Sequence, residues 1–226
     1  MGVQYRNFLS NYTVSFAAHD ASVSFTWHGN KMKKVVLASA LLLLVNSIQA
    51  AESVRWDSAS LSYQSVEIDE DKLTGYDVSG SKLIGEDFFI AGSYSSVSDD
   101  TDVFGAKVDV DFNTLSVGIG YRHAISSNSD LFGIVSYEDI EVEASFQGNS
   151  RDVSDNGYGL QAGIRSLVTQ NIELSGSLNY IDINDESETG INVSAMYHFT
   201  NQFSIGAGYS KTDDVDSLSL SAVLFF

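Results

Sequence analysis

The chain has 226 residues, no proline and no Gly/Ser-rich linker, so one domain is expected; its formal charge of −18, from 30 Asp and Glu against 12 Lys and Arg, leaves no electrostatic footprint for nucleic acid. There is no cysteine, which excludes disulfides, thiolate nucleophiles, Cys-bound zinc and a lipidated N-terminal Cys.

Residues 1–31 carry no motif and are expected to be an upstream extension from a mis-assigned start, with Met32 the initiator. Met32, Lys33 and Lys34 then precede a short apolar run and Asn46-Ser-Ile-Gln-Ala50, the order of basic, hydrophobic and small-residue regions in a secretory signal peptide. A membrane helix is the alternative, but the run of about 11 apolar residues is short of the roughly 20 a helix needs to span a bilayer. Residues 32–50 are therefore read as signal peptide cut after Ala50, with Ala51 the alternative because Ile48 fits the cleavage rule poorly.

From residue 51 onward the period is that of strands. In 115–121, Leu115, Val117, Ile119 and Tyr121 fall on one face and Ser116, Gly118 and Gly120 on the other. One face is large and apolar, the other small. The same split recurs over 158–165, 172–180, 191–199, 203–209 and 218–226, with weaker copies at 58–66, 74–83, 88–97 and 131–142. This predicts an all-β, single antiparallel up-and-down transmembrane barrel over 51–226, of about ten strands, each of the roughly 9–11 residues a tilted membrane strand requires. Eight strands is the alternative, reached by losing a weak N-terminal pair. A soluble β-sandwich or barrel also alternates, but must pack its bulky residues inward, and here the bulky set is too abundant for a lumen.

The links alternate in length. Short ones at 84–87, 124–130, 168–171 and 200–202 suit periplasmic turns; longer ones at 67–72, 98–112, 142–156, 182–190 and 211–216 hold most of the acid and are expected to be extracellular loops. With that orientation Tyr63, Tyr76, Tyr94, Tyr137, Tyr158, Tyr180 and Tyr209 gather at the extracellular strand ends, in phase with the large apolar residues. They make an aromatic girdle. Tyr121, Tyr197, Phe199, Phe203 and Phe226 gather at the opposite rim, with Phe88 or Phe89 nearby.

The closing residues Leu218, Leu220, Ala222, Leu224 and Phe226 resemble the C-terminal assembly signal of Gram-negative outer-membrane barrels, which implies recognition by the barrel-assembly machinery. Over 51–226 the chain resembles small barrels related to the OmpA transmembrane domain and the OmpX and Ail proteins. The block 115–123, continued by 129–131 and by Tyr137-Glu138, is also similar to small barrels of environmental and plant-associated bacteria with ten strands. The resemblance implies an outer-membrane location; the adhesion known in the Ail group does not carry over, because the loops share no motif with it.

Chemistry is sparse. His123 is in outward phase and His198 in inward phase, both at periplasmic strand ends, and no Gly-x-Ser-x-Gly elbow or convergent Ser-His-acid set is present, so no catalytic residue is assigned and no cofactor is expected. Asp77, Arg122, Glu138, Arg165, Glu173 and His198 are expected in the lumen, with Arg165 and Glu173 pairing across neighbouring strands as a structural plug. Asp213, Asp214 and Asp216 are weak candidates for a divalent cation, without the EF-hand pattern. The expected partners are outer-membrane lipid and lipopolysaccharide, through bridging divalent cations, for a monomer. Three functions follow: a non-enzymatic envelope or surface-contact barrel, a narrow porin-like channel, and, least favoured, an outer-membrane hydrolase.

Overall fold

The structure is a computed structural model that describes residues 13–18, 21–26, 53–68, 71–103, 106–146, 149–184, 186–212 and 215–226. The predicted signal segment 32–50 lies outside these residues. Within the stretch expected to precede it, β1 (Thr13–Ala18) and β2 (Ala21–Thr26) pair as a two-stranded antiparallel sheet of their own.

The remaining ten described strands close into one barrel. In chain order they are β3 (Ser58–Ile68), β4 (Asp71–Ile84), β5 (Phe88–Val103), β6 (Ala106–Ser126), β7 (Ser129–Phe146), β8 (Asn149–Leu167), β9 (Ile172–Ile183), β10 (Glu186–His198), β11 (Phe203–Thr212) and β12 (Val215–Phe225). Each pairs antiparallel with its sequence neighbour, and β12 returns to β3 from Val215↔Ile68 to Phe225↔Ser58. Closure leaves no sheet edge within the wall. The eight-strand alternative falls away.

Alternation decides which face turns outward. Leu61, Tyr63, Ile119, Leu178 and Leu220 are all at least 58 % exposed, whereas Ser62, Ser204 and Glu138 on the opposite face are buried. Bulky apolar groups outside and small polar groups inside is the reverse of a soluble barrel and the arrangement a lipid surround selects.

Two expectations need correction. The described residues of the acidic segments at 67–72, 98–112, 142–156, 182–190 and 211–216, expected as loops, are almost all strand. The strands run on into them from both sides, with pairs such as Ser98↔Asp111, Asp99↔Val110, Glu143↔Asp152 and Lys211↔Asp216, so β6 reaches 21 residues and β8 19. Backbone hydrogen bonding continues where the apolar period stops, because beyond the membrane both faces meet water.

The inward face is also not uniformly small and polar. At the hairpin end it carries Ile68, Leu73 and Val97, packed with Val66, Phe112 and Val215, and buried Val142 and Ile183. At the short-turn end Val54, Trp56 and Phe89 form a second buried cluster, backed by Leu83, Ala91, Phe132 and Ile134. Phe88 faces outward and Phe89 inward. Gly120 provides the socket: a Cβ there would lie 2.1 Å from the Phe89 ring.

Candidate functional site

The lumen is built from alternate residues of all ten strands, together with the segment 53–57 that precedes β3. That segment turns into the short-turn mouth instead of lying along the wall, which buries Val54 and Trp56. Trp56 stacks at 4.4 Å between ring centroids on Phe89 and meets Phe132 edge-on at 5.6 Å. Its Nε1 donates to Asp130 Oδ2 at 2.7 Å, which meets the requirement that a buried indole find an acceptor.

From Trp56 a chain of charged groups crosses the mouth. On one side Asp130 also pairs with Arg122 at 3.3 Å. On the other, the Arg165 guanidinium lies 4.6 Å over the indole ring, and its Nε donates to Glu173 Oε1 at 2.7 Å. Arg165 is opposite Ser175 and Leu167 opposite Glu173, so the ion pair is a diagonal contact between β8 and β9. Glu173 Oε2 lies 3.3 Å from His198 Nε2, close but without hydrogen-bond alignment. His198 Nδ1 contacts Ser204 Oγ at 2.6 Å and Arg55 NH2 at 3.0 Å; since the guanidinium can only donate, Nδ1 accepts. Arg55 in turn covers the Phe225 ring at 4.3 Å.

Glu173, His198 and Ser204 thus bring an acid, an imidazole and a hydroxyl together across β9, β10 and β11, which corrects the expectation that no Ser-His-acid set converges; the three come from three strands, and spacing alone did not reveal them. Ser204 has no exposed surface, and Arg55 donates to the same imidazole nitrogen that faces its hydroxyl.

At the rim, Asp57 accepts from the backbone N–H of Leu83 and is ion-paired with Lys82. These two contacts, the backbone one first, hold its carboxyl below the usual carboxylate range. The Asp57 carbonyl accepts from Phe226 N at 3.2 Å, and Lys82 lies over the Phe226 ring. Residues 55–57 therefore fasten the seam between first and last barrel strands.

Further along the lumen is a chamber of about 420 Å³. Ser60, Ser79, Ser116 and Ser136 with Gln161 and Asn192 represent its lining, and Glu138 is its one carboxylate. Ser116 and Ser136 both donate to Glu138 Oε1, and Ser60 and Ser79 bond each other at 2.7 Å.

Of the residues expected in the lumen, the structure brings Arg165, Glu173 and His198 together, places Arg122 beside Asp130, and keeps Glu138 apart in the chamber. Asp77 shares the inward face of β4 with Ser79 and Ser81 but is not part of the chamber lining. His123 is exposed. Arg55, Trp56, Phe89, Asp130, Ser204 and Phe225 were not anticipated; the available signal was a Trp beside an Arg immediately before the first barrel strand.

The seven girdle tyrosines all face outward. Tyr63 is directly opposite Tyr76, and Tyr137 opposite Tyr158, while Tyr76 to Tyr94 and Tyr158 to Tyr180 are ring neighbours. Leu218, Leu220, Leu224 and Phe226 are exposed on the same surface. Of the weak metal candidates, Asp213 and Asp214 lie outside the described residues, and Asp216 is taken by Lys211 at 2.9 Å and by the Tyr209 hydroxyl. Among the described residues no cluster of three His or acidic groups is placed to hold a metal.

A family model for an outer membrane protein beta-barrel domain matches residues 37–210. Comparison with curated proteins finds no match. Among solved structures, Ail, the attachment invasion locus protein of Yersinia pestis, is 16% identical, with a TM-score of 0.37 over 75% of this chain and 97% of that one. Neisserial surface protein A is 15% identical, with a TM-score of 0.42 over 75% and 95%. The N-terminal β-barrel domain of Pseudomonas aeruginosa OprF is 12% identical, with a TM-score of 0.40 over 76% and 100%.

Proposed function

The chain belongs to the outer membrane protein β-barrel domain family and resides in the outer membrane, and from that premise we propose that it is a non-enzymatic barrel acting through its acidic extracellular hairpins and not through its lumen. The short-turn end, with the segment leading into β3, then faces the periplasm.

The observation that carries this reading is the packing of the periplasmic mouth. A group lining an aqueous passage is reached by water, yet Val54, Trp56 and Phe89 are each 4 % exposed or less, and the charges beside them are paired with one another. Ile68, Leu73 and Val97 repeat this packing at the opposite end. The working surface is left to the strand extensions, whose carboxylates would meet lipopolysaccharide phosphate through divalent cations. The outward residues ending at Phe226 would serve the assembly machinery, and the barrel would act as a monomer.

The test is planar-bilayer recording on the purified folded protein, together with a variant in which the extensions beyond the tyrosine girdle are shortened. No conductance, and loss of surface or cation-dependent lipid contact in the shortened variant, is expected. A steady open conductance would favour the second reading, a narrow channel, whose support is the hydroxyl-lined chamber.

A further inference from the structure

We propose that the lumen chamber is a binding site for one monovalent metal cation, of sodium or potassium size, held against Glu138.

Glu138 is on β7, between Ser116 of β6 and Gly157 of β8, and is 7 % exposed. A buried carboxylate is ordinarily paired with a cationic group or bound to a metal. Glu173 and Asp130, the other buried acids of the lumen, have Arg165 and Arg122. Glu138 has neither: no Arg, Lys or His lines its chamber, and its partners among the described residues are two hydroxyls. Both donate to Oε1. No described side chain donates to Oε2, which leaves that oxygen for whatever occupies the chamber.

The lining selects the kind of ion. A serine that gives its proton to Oε1 keeps both oxygen lone pairs, so Ser116 and Ser136 can serve as neutral ligands beside a single negative charge. Gln161, Asn179 and Asn192 add side-chain amides to the same lining, with Asn192 Nδ2 donating to Asn179 Oδ1 at 3.2 Å. The chamber has one carboxylate, which a single positive charge neutralises, whereas a divalent ion would leave a charge uncompensated in the lumen. At about 420 Å³ the space also accommodates the waters that complete the ion's shell.

The site is distinct from the acidic hairpins and independent of whether the barrel contacts surfaces. Its test uses the full barrel, refolded into lipid vesicles or detergent in thallium(I) acetate, with thallium as the probe for sodium and potassium. Anomalous diffraction is expected to show one thallium within ligand distance of the Glu138 carboxylate, absent from Glu138→Gln. In parallel, the midpoint for heat loss of the folded electrophoretic form should rise by about 4 °C between N-methylglucamine chloride and sodium chloride at about tenfold above Kd, and Glu138→Gln should abolish the rise. An empty chamber in the thallium-refolded wild type overturns the proposal. So does a cation-dependent rise that Glu138→Gln leaves intact. If Glu138→Gln does not fold, the wild-type anomalous map decides alone, and Ser136→Ala, which keeps the carboxylate, should weaken thallium occupancy.

Discussion

The short-turn mouth and the central chamber both draw on inward positions of the strands, yet they solve the burial of polar groups in opposite ways. At the mouth every charge is set against another charge or an aromatic face: Arg122 on Asp130, Arg165 on Glu173 and Trp56, Arg55 on Phe225. In the chamber, hydroxyls and amides line open space around one carboxylate. The difference lies in the aromatic side chains. Trp56, Phe89 and Phe132 fill the mouth and exclude water, so its charges must find protein partners; in the chamber small side chains leave room for water or ions to do that.

The sharpest way to break this contrast is Glu173→Ala, which leaves Arg165 and His198 facing each other without their acid. Loss of a buried partner costs about 3–5 kcal/mol, so urea unfolding from lipid vesicles should show a fall of that order. A loss below about 1 kcal/mol would mean that water reaches the mouth as freely as the chamber. Trp56→Phe keeps a ring for Phe89 and Arg165 but takes the indole donor from Asp130, which is left with Arg122 alone, and a loss of about 1–3 kcal/mol is expected in the same assay. Gly120→Ala tests the socket from the opposite strand: its Cβ displaces the Phe89 ring, with a cost of about 1–3 kcal/mol and increased quenching of Trp56 fluorescence by acrylamide. In the chamber, Ser60→Ala with Ser79→Ala removes a hydroxyl pair that water replaces, so less than about 1 kcal/mol should be lost.

The smallest expected effect concerns the seam. Because the folded-state pKa of Asp57 lies below its unfolded value, the native state favours the carboxylate; the contribution is present above about pH 4 and disappears as pH falls through the lowered pKa. Asp57→Asn should therefore lower stability at neutral pH slightly and flatten the acid limb of the stability–pH curve.

Much of the wall was legible in the sequence because lipid outside and a small lumen inside impose opposite demands on alternate residues, as in 115–121. The same rule also explains what stayed hidden. Outside the membrane the demand ends, so Asp99, Asp111 and Glu143 read as loop residues although their backbones continue the ladder. Phe88-Phe89 and Phe225-Phe226 are equal in hydropathy, and strand period assigns them to opposite faces only once register is known. Val54 to Asp57 precede any alternation, and their place in the mouth depends on Asp130 and Arg165, more than 70 residues away in the chain. Of the lumen, the Arg165–Glu173 pair was readable because both lie within a few residues of one turn. Glu138 stood in phase with the lumen, but nothing local showed that its neighbours would be hydroxyls.

The fastening of Asp57 to Phe226 means that the barrel's polypeptide begins and ends at one point of its wall. A short linker could join the two, and new termini could be opened in the hairpin between β3 and β4 without altering any strand's neighbours. Such a circular permutant would keep the Phe225 and Phe226 rings in place while depriving them of their terminal position. It would separate what those rings contribute to holding a finished wall from what they contribute by being last.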